Sequence, residues 1–200
     1  MPTAELAGIV EGHGDALSLP ILMRRIAEVV DPGLGIKVTT VIRTPRSKLV
    51  KPGELERVVE LAARKLARPA AILLLLDADT DCPAELGSSL LHRARTQRGD
   101  LPIAAVLAKH EFENWFIAAA ESLRGRRGLP QDLTAPQDPE SIEAAKAWLS
   151  TRMPRHNPYS ETIDQPALTA QFNLEMARRS GSFDKLHREI ERLLDAVTIP

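Results

Sequence analysis

The run "AAILLLL" (Ala70–Leu76) constrains the fold of this chain more than any other stretch. It is continuously apolar, of strand length, and shows no polar alternation. Such a run marks a strand buried on both faces, the habit of a parallel sheet flanked by helices. "DADTD" (77–81) follows it at once.

The neighbouring segments extend that sheet. Ala7–Val10 reads as a short buried strand, Ile36–Ile42 as a β-branched one and Ile103–Leu107 as a fourth. Helices are expected between them. Asp15–Val30 has Leu17, Ile21, Leu22, Ile26 and Val30 at helical spacing, with Pro20 in its early turns, and stops at Asp31-Pro32-Gly33. Glu54–Leu66, Leu86–Arg95 and Glu113–Leu123 are the others, and "RTPRSKLVKPG" (43–53) reads as a basic loop. Strands and helices alternating over the first ~125 residues predict an α/β, Rossmann-like fold: a four-stranded, mainly parallel sheet, helices on both faces, right-handed crossovers. Beyond it, Gly125–Pro139 reads as a loop, and helices are expected over Pro139–Leu149, Pro166–Arg178 and Phe183–Ala196, with Leu186, Ile190, Leu193, Leu194 and Val197 on one face of the last region. The expected division is 1–124 as the α/β domain and 125–200 as a helical extension packed on it.

Composition narrows the functional classes. The 200 residues suit one domain, and at 4% aromatic the core must rest on Leu, Ala, Ile and Val. A formal net charge of −1 excludes a global basic field for nucleic acid, though not a local patch. Cys82 is the sole cysteine, which excludes an intramolecular disulfide and a multi-cysteine zinc site and fits a reducing cytoplasm. No signal-peptide pattern opens the chain, and the longest clean apolar run, Pro69–Leu76, is too short to span a bilayer, so no membrane partner is expected.

In a parallel α/β sheet, ligands bind outside the carboxyl ends of the strands. Glu11 ends the first strand, Asp77 and Asp79 the third, and Glu111 and Glu113 follow the fourth; Asp15 lies one turn into the first helix. A single acidic residue there is an ordinary turn or cap former. Acidic groups at three of four strand ends are harder to explain that way. Clustered carboxylates need a cation, and hard oxygen donors suit Mg²⁺ or Mn²⁺. If the Asp-x-Asp segment is extended, Asp77 and Asp79 point the same way.

Other motifs fail. "DADTDCPAELGS" lacks the sixth-position Gly and twelfth-position Glu of an EF-hand. "GHGDAL" has Leu17 where a dinucleotide fingerprint needs glycine, and Arg43 rather than an acid ends the second strand. There is no Walker lysine, no Gly-x-Ser-x-Gly elbow, and no zinc spacing among His13, His92, His110, His156 and His187.

"IVEGHGD", "LLLLDADTD" and "KHEFENWF" together resemble the three motif blocks of a TOPRIM domain, the Mg²⁺-binding module of topoisomerases, primases and OLD-family nucleases. Glu11 with Asp15 is similar to the OLD-like branch. "KHEFENWF" and the tail "YSETIDQPALTAQFNLEMARRSGSFDKL" resemble a bacterial family known as domain of unknown function 4276. The resemblance implies Glu11 as a general acid/base or metal glutamate, Asp77 and Asp79 as metal aspartates, and Asp15, Glu111 and Glu113 as second-metal ligands. Asp81 extends the acidic pattern. It implies a divalent-metal-dependent nuclease in phage defence or DNA processing, with DNA favoured over RNA and any ATPase partner a separate protein. Arg43, Arg46, Lys48 and Lys51 would hold the phosphate backbone, and Lys109 would stabilise developing charge. Trp115 and Phe116 read as core. A non-catalytic binding or regulatory module beside a separate ATPase is the second reading, which the near-neutral charge favours.

Overall fold

The computed structural model describes residues 3–198. Its sheet contains β1 (Thr3–Val10), β2 (Gly35–Arg43), β3 (Ala70–Asp77) and β4 (Ile103–Ala108) in the order β2-β1-β3-β4, with every neighbouring pair parallel. The sheet is thus all parallel rather than mainly so. Helices α1 (His13–Val30), α2 (Arg46–Leu49), α3 (Glu54–Ala63) and α4 (Pro83–Gln97) lie on the crossovers, and α5 (Asn114–Ala118) follows β4.

Side chains of the central strands alternate between two apolar clusters. Ala71, Leu73 and Leu75 of β3 face one, with Leu22 and Ile26 of α1. Ala70, Ile72, Leu74 and Leu76 face the other, with Val58 and Val59 of α3 and Leu90 of α4. This two-sided burial is why β3 has no polar position before Asp77. The first cluster also takes in Phe172 and, from α9 (Gly181–Thr198), Phe183, Leu186, Ile190, Leu193, Leu194 and Val197. Trp115 and Phe116 are fully buried, with Trp115 edge-on to Phe183 and Phe116 edge-on to Phe172.

Several expected elements are broken or displaced. The basic segment 43–53 contains the one-turn α2. The helix expected over Glu113–Leu123 is α5 followed by a 3₁₀ turn at Ala120–Leu123. The segment Pro139–Leu149 becomes helical only at α6 (Ala145–Ser150), after a 3₁₀ turn at Pro139–Ser141. Asn114 Nδ2 donates to the carbonyls of Pro139 (2.9 Å) and Ile142 (2.8 Å), taking acceptors that a continuous helix would use. The segment Pro166–Arg178 is two helices, α7 (Asp164–Thr169) and α8 (Leu174–Ala177). Asn173 starts the second by accepting the Met176 N–H at 2.8 Å, an N-cap. No helix among the described residues is long and apolar enough to cross a membrane.

Candidate functional site

The strand order reverses between β1 and β3, the place where an open α/β sheet leaves a crevice at its carboxyl edge. Val10 pairs with both Arg43 and Leu75, so the ends of β2, β1 and β3 stand level. Glu11 comes next in the chain, and its Oε1 accepts the Asp77 N–H at 2.8 Å. Asp77 continues the Ala71-Leu73-Leu75 row, and its Oδ1 accepts the Phe112 N–H at 2.8 Å. Asp15, in the first turn of α1, accepts the Gly12 N–H on Oδ2 (3.0 Å) and the Gln165 Nε2 on Oδ1 (2.8 Å). Backbone and amide donors thus fix three carboxylates in place. Glu11, Asp15, Asp77, Asp79, Arg43 and Arg46 line one cavity of 520 Å³.

This cavity is short of positive charge. Burial raises the Glu11 carboxyl above its ordinary range even though the Asp77 N–H favours the anion. Burial likewise raises Asp15, against its two hydrogen bonds. Asp77, 13% exposed, is held well above the carboxylate range by burial and then by the charges of Asp15 and Glu113. A pocket that makes carboxylates reluctant to ionise is one that a cation would relieve.

Asp79 reaches the cavity by a route other than the expected one. Its φ of 49° is left-handed, so the segment is not extended and the i, i+2 argument fails. Its N–H donates to the His110 carbonyl (3.1 Å) and its own carbonyl meets His110 Nδ1 at 2.9 Å. Arg46 bridges the carboxylates of Asp79, at 3.3 Å, and Asp81.

Glu111 and Glu113 are engaged elsewhere. Both converge on Lys146, whose Nζ lies 3.1 Å from Glu111, 3.7 Å from Glu113, 3.8 Å from Asp77 and 3.0 Å from Glu161. Glu113 is fully buried; Tyr159 donates to its Oε1 at 2.8 Å, while Oε2 accepts no hydrogen bond. Burial pushes the Glu113 carboxyl up to about 7, against the pull of Lys146 and Tyr159. Burial alone would lower the Lys146 ammonium, but Glu113, Asp77 and Glu111 raise it overall. Lys146, Tyr159, Glu161 and Gln165 escaped the sequence reading. Lys146 stands 35 residues from Glu111, Tyr159 46 from Glu113 and Gln165 150 from Asp15, and no local pattern announces such contacts.

Of the basic residues expected at the site, Arg43 and Arg46 line the cavity, and Lys146 lines it with them; Lys48 and Lys51 are exposed on the same segment as the arginines without lining it. Lys109 lies in a separate cavity with Cys82, Glu140, Ser182 and Lys185, away from the carboxylates. His13 is exposed, and His110 lines a neighbouring cavity with Glu111 and Asp79. Among the described residues, no three acidic, histidine or cysteine side chains are arranged as a cage for a metal ion.

The glycines of "EGHGD" serve close packing rather than positive φ. Gly12 has φ −94°. A Cβ on Gly14 would stand 1.9 Å from Gln165 Oε1 and 2.9 Å from the Glu161 carbonyl. Gly14→Ala is expected to push the 161–165 segment off α1 and cost about 2 kcal/mol, the scale of overpacking. Thermal melting checks it, with a fall of roughly 4–8 °C for a chain of this size. An unchanged melt would show that the two segments do not pack this closely.

A family model described as domain of unknown function (DUF4276) matches residues 10–191. No curated protein and no solved structure matches the chain.

Proposed function

Since the chain belongs to the DUF4276 family, whose description leaves the chemistry open, we propose from the cleft itself that it is a divalent-metal-dependent phosphodiesterase of TOPRIM type acting on nucleic acid. One observation carries the reading: Glu11, Asp15, Asp77 and Asp79 share a single cavity with Arg43 and Arg46. Carboxylates suit a hard cation and guanidinium groups suit phosphate oxygens. The donor set fits Mg²⁺ or Mn²⁺ without a protein cage, because Mg²⁺ habitually takes one or two carboxylates and completes its shell with water and phosphate. When bound, such an ion supplies Lewis-acid activation of water and neutralises charge developing on the phosphate.

The chain's own residues do the positioning. Glu11 and Asp77 are the cation's carboxylates, held rigid by the Asp77 and Phe112 N–H groups. Asp79 reaches the same space from the end of β3. Arg43 and Arg46 orient the phosphodiester. Water adds to phosphorus and gives up a proton, one P–O ester bond breaks, and the leaving oxygen takes up a proton in its place, so that the net change is addition of one water. Glu111 and Glu113 serve as the anchor of Lys146.

A non-catalytic module working with a separate ATPase is the second reading. The Lys146 ammonium favours it, since it already neutralises the Glu111–Glu113 side of the cluster. Plasmid and single-strand cleavage with Mg²⁺ or Mn²⁺, with and without chelator, separates the two. Cleavage that the chelator stops is expected. Calorimetric metal binding without cleavage selects the module, and neither binding nor cleavage removes the metal site altogether.

A further inference from the structure

The cleft runs over the crest of the sheet and is walled from both faces. Leu49 of α2 packs in the apolar cluster of α3 and α4, whereas Leu168 of α7 packs in that of α1 and α9. One wall is therefore Pro45, Arg46 and Ser47, and the opposite wall is Glu161 and Gln165. The second wall is fixed: Gln165 holds Asp15, Glu161 holds Lys146, and Tyr159 holds Glu113. Resting on the phosphodiesterase reading above, we propose that this two-walled cleft admits one nucleic-acid strand by its phosphates and shuts out the duplex.

Size, charge and lining agree. A cavity of 520 Å³ is the size that encloses a compact ligand, whereas duplex binders spread over about 1,000–2,500 Å² of protein surface. Arg43 and Arg46 line the cleft, and Lys48 and Lys51 stand exposed on the same segment, enough for about two to four phosphates rather than the roughly six to ten of many duplex binders. Asp81, outside the lining of the cleft, has a side chain 54% exposed, so a second strand would meet its carboxylate. No aromatic side chain among the described residues lines the cleft, so bases find no stacking platform and recognition falls on the backbone.

Fluorescence anisotropy tests this with the full chain in Ca²⁺, which holds cleavage off. The probes are an end-labelled single-stranded DNA and the same sequence annealed to its complement. The single strand should bind about tenfold tighter, with log K falling against log[salt] at a slope of about −1.5 to −3, as two to four phosphate contacts require. Arg43→Ala, at an exposed position, should flatten that slope by about 0.7. Duplex binding as tight as single-strand binding, a slope of about −5 or steeper, or no binding of either probe overturns the proposal. The two readings fail separately. Single-strand binding without cleavage in Mg²⁺ removes the hydrolase and leaves the one-strand cleft, whereas cleavage in Mg²⁺ with equal duplex binding does the reverse.

Discussion

Asp77→Asn is expected to abolish metal-dependent cleavage while leaving the protein at least as stable as before. The asparagine keeps an Oδ1 acceptor for the Phe112 N–H, so β3 and the turn before α5 stay joined. What disappears is a negative charge that burial, Asp15 and Glu113 already oppose. Loss of that charge should cost cleavage on the order of 10²–10³-fold, the scale on which one preorganised electrostatic group acts. It should also relieve like-charge repulsion, stabilising the fold by about 1 kcal/mol and raising the melting temperature by roughly 2–4 °C. Glu11→Gln retains its acceptor for the Asp77 N–H and should behave alike. Cleavage and melting must be measured on one preparation at pH 8. Full cleavage in both variants would remove the site. A large fall in melting temperature would mean that these carboxylates serve folding instead. Loss of activity with gain of stability is the signature of a cluster kept for function at the expense of the fold.

The residues that the sequence made legible are those whose placement follows from strand topology alone. β3 is legible because two-sided burial leaves no polar position before its last residue, and Glu11 and Asp77 because parallel strands bring their carboxyl ends to one edge. Asp79 lines the cavity through a left-handed turn braced by His110, not through the extended segment that the Asp-x-Asp argument needs. Lys109 follows β4 directly, yet β4 is the far edge of the sheet, and its side chain lines another cavity. The wall formed by Glu161 and Gln165 is illegible in the sequence because it depends on how the segment after α6 returns across α1. Asn173 is the exception among the missed features. An asparagine ahead of "LEMA" is a readable N-cap, and it splits the helix expected over 166–178.

Lys146→Met is expected to be the most destabilising single change near the cleft, and its cost should depend on pH. Among the described residues, the ammonium is the only cation within 4 Å of Glu113, whose carboxylate is fully buried and has one hydrogen-bond donor, Tyr159. Breaking a buried pair by removing one partner costs about 3–5 kcal/mol, because the other charge stays behind. Glu113 can escape that cost by taking up a proton. Its folded-state pKa is already raised from 4.5 to about 7, so the native state holds more protons than the unfolded chain across that window. Stability from this group is therefore fully present below the unfolded value and lost as pH rises through the folded one. Raised Glu11, Asp15 and Asp77 carboxyls act with the same sign. In the variant, Glu113 should titrate higher still, widening the gap between acid and alkaline conditions. Urea denaturation should show a loss of about 3 kcal/mol or more at pH 8.5 and a distinctly smaller one at pH 5.5. Lys146→Met combined with Glu113→Gln should recover much of the alkaline loss, since no buried charge is then stranded. An equal loss at both pH values, or no recovery in the double variant, would mean that Lys146 supports α6 by packing and not by holding the acidic cluster together.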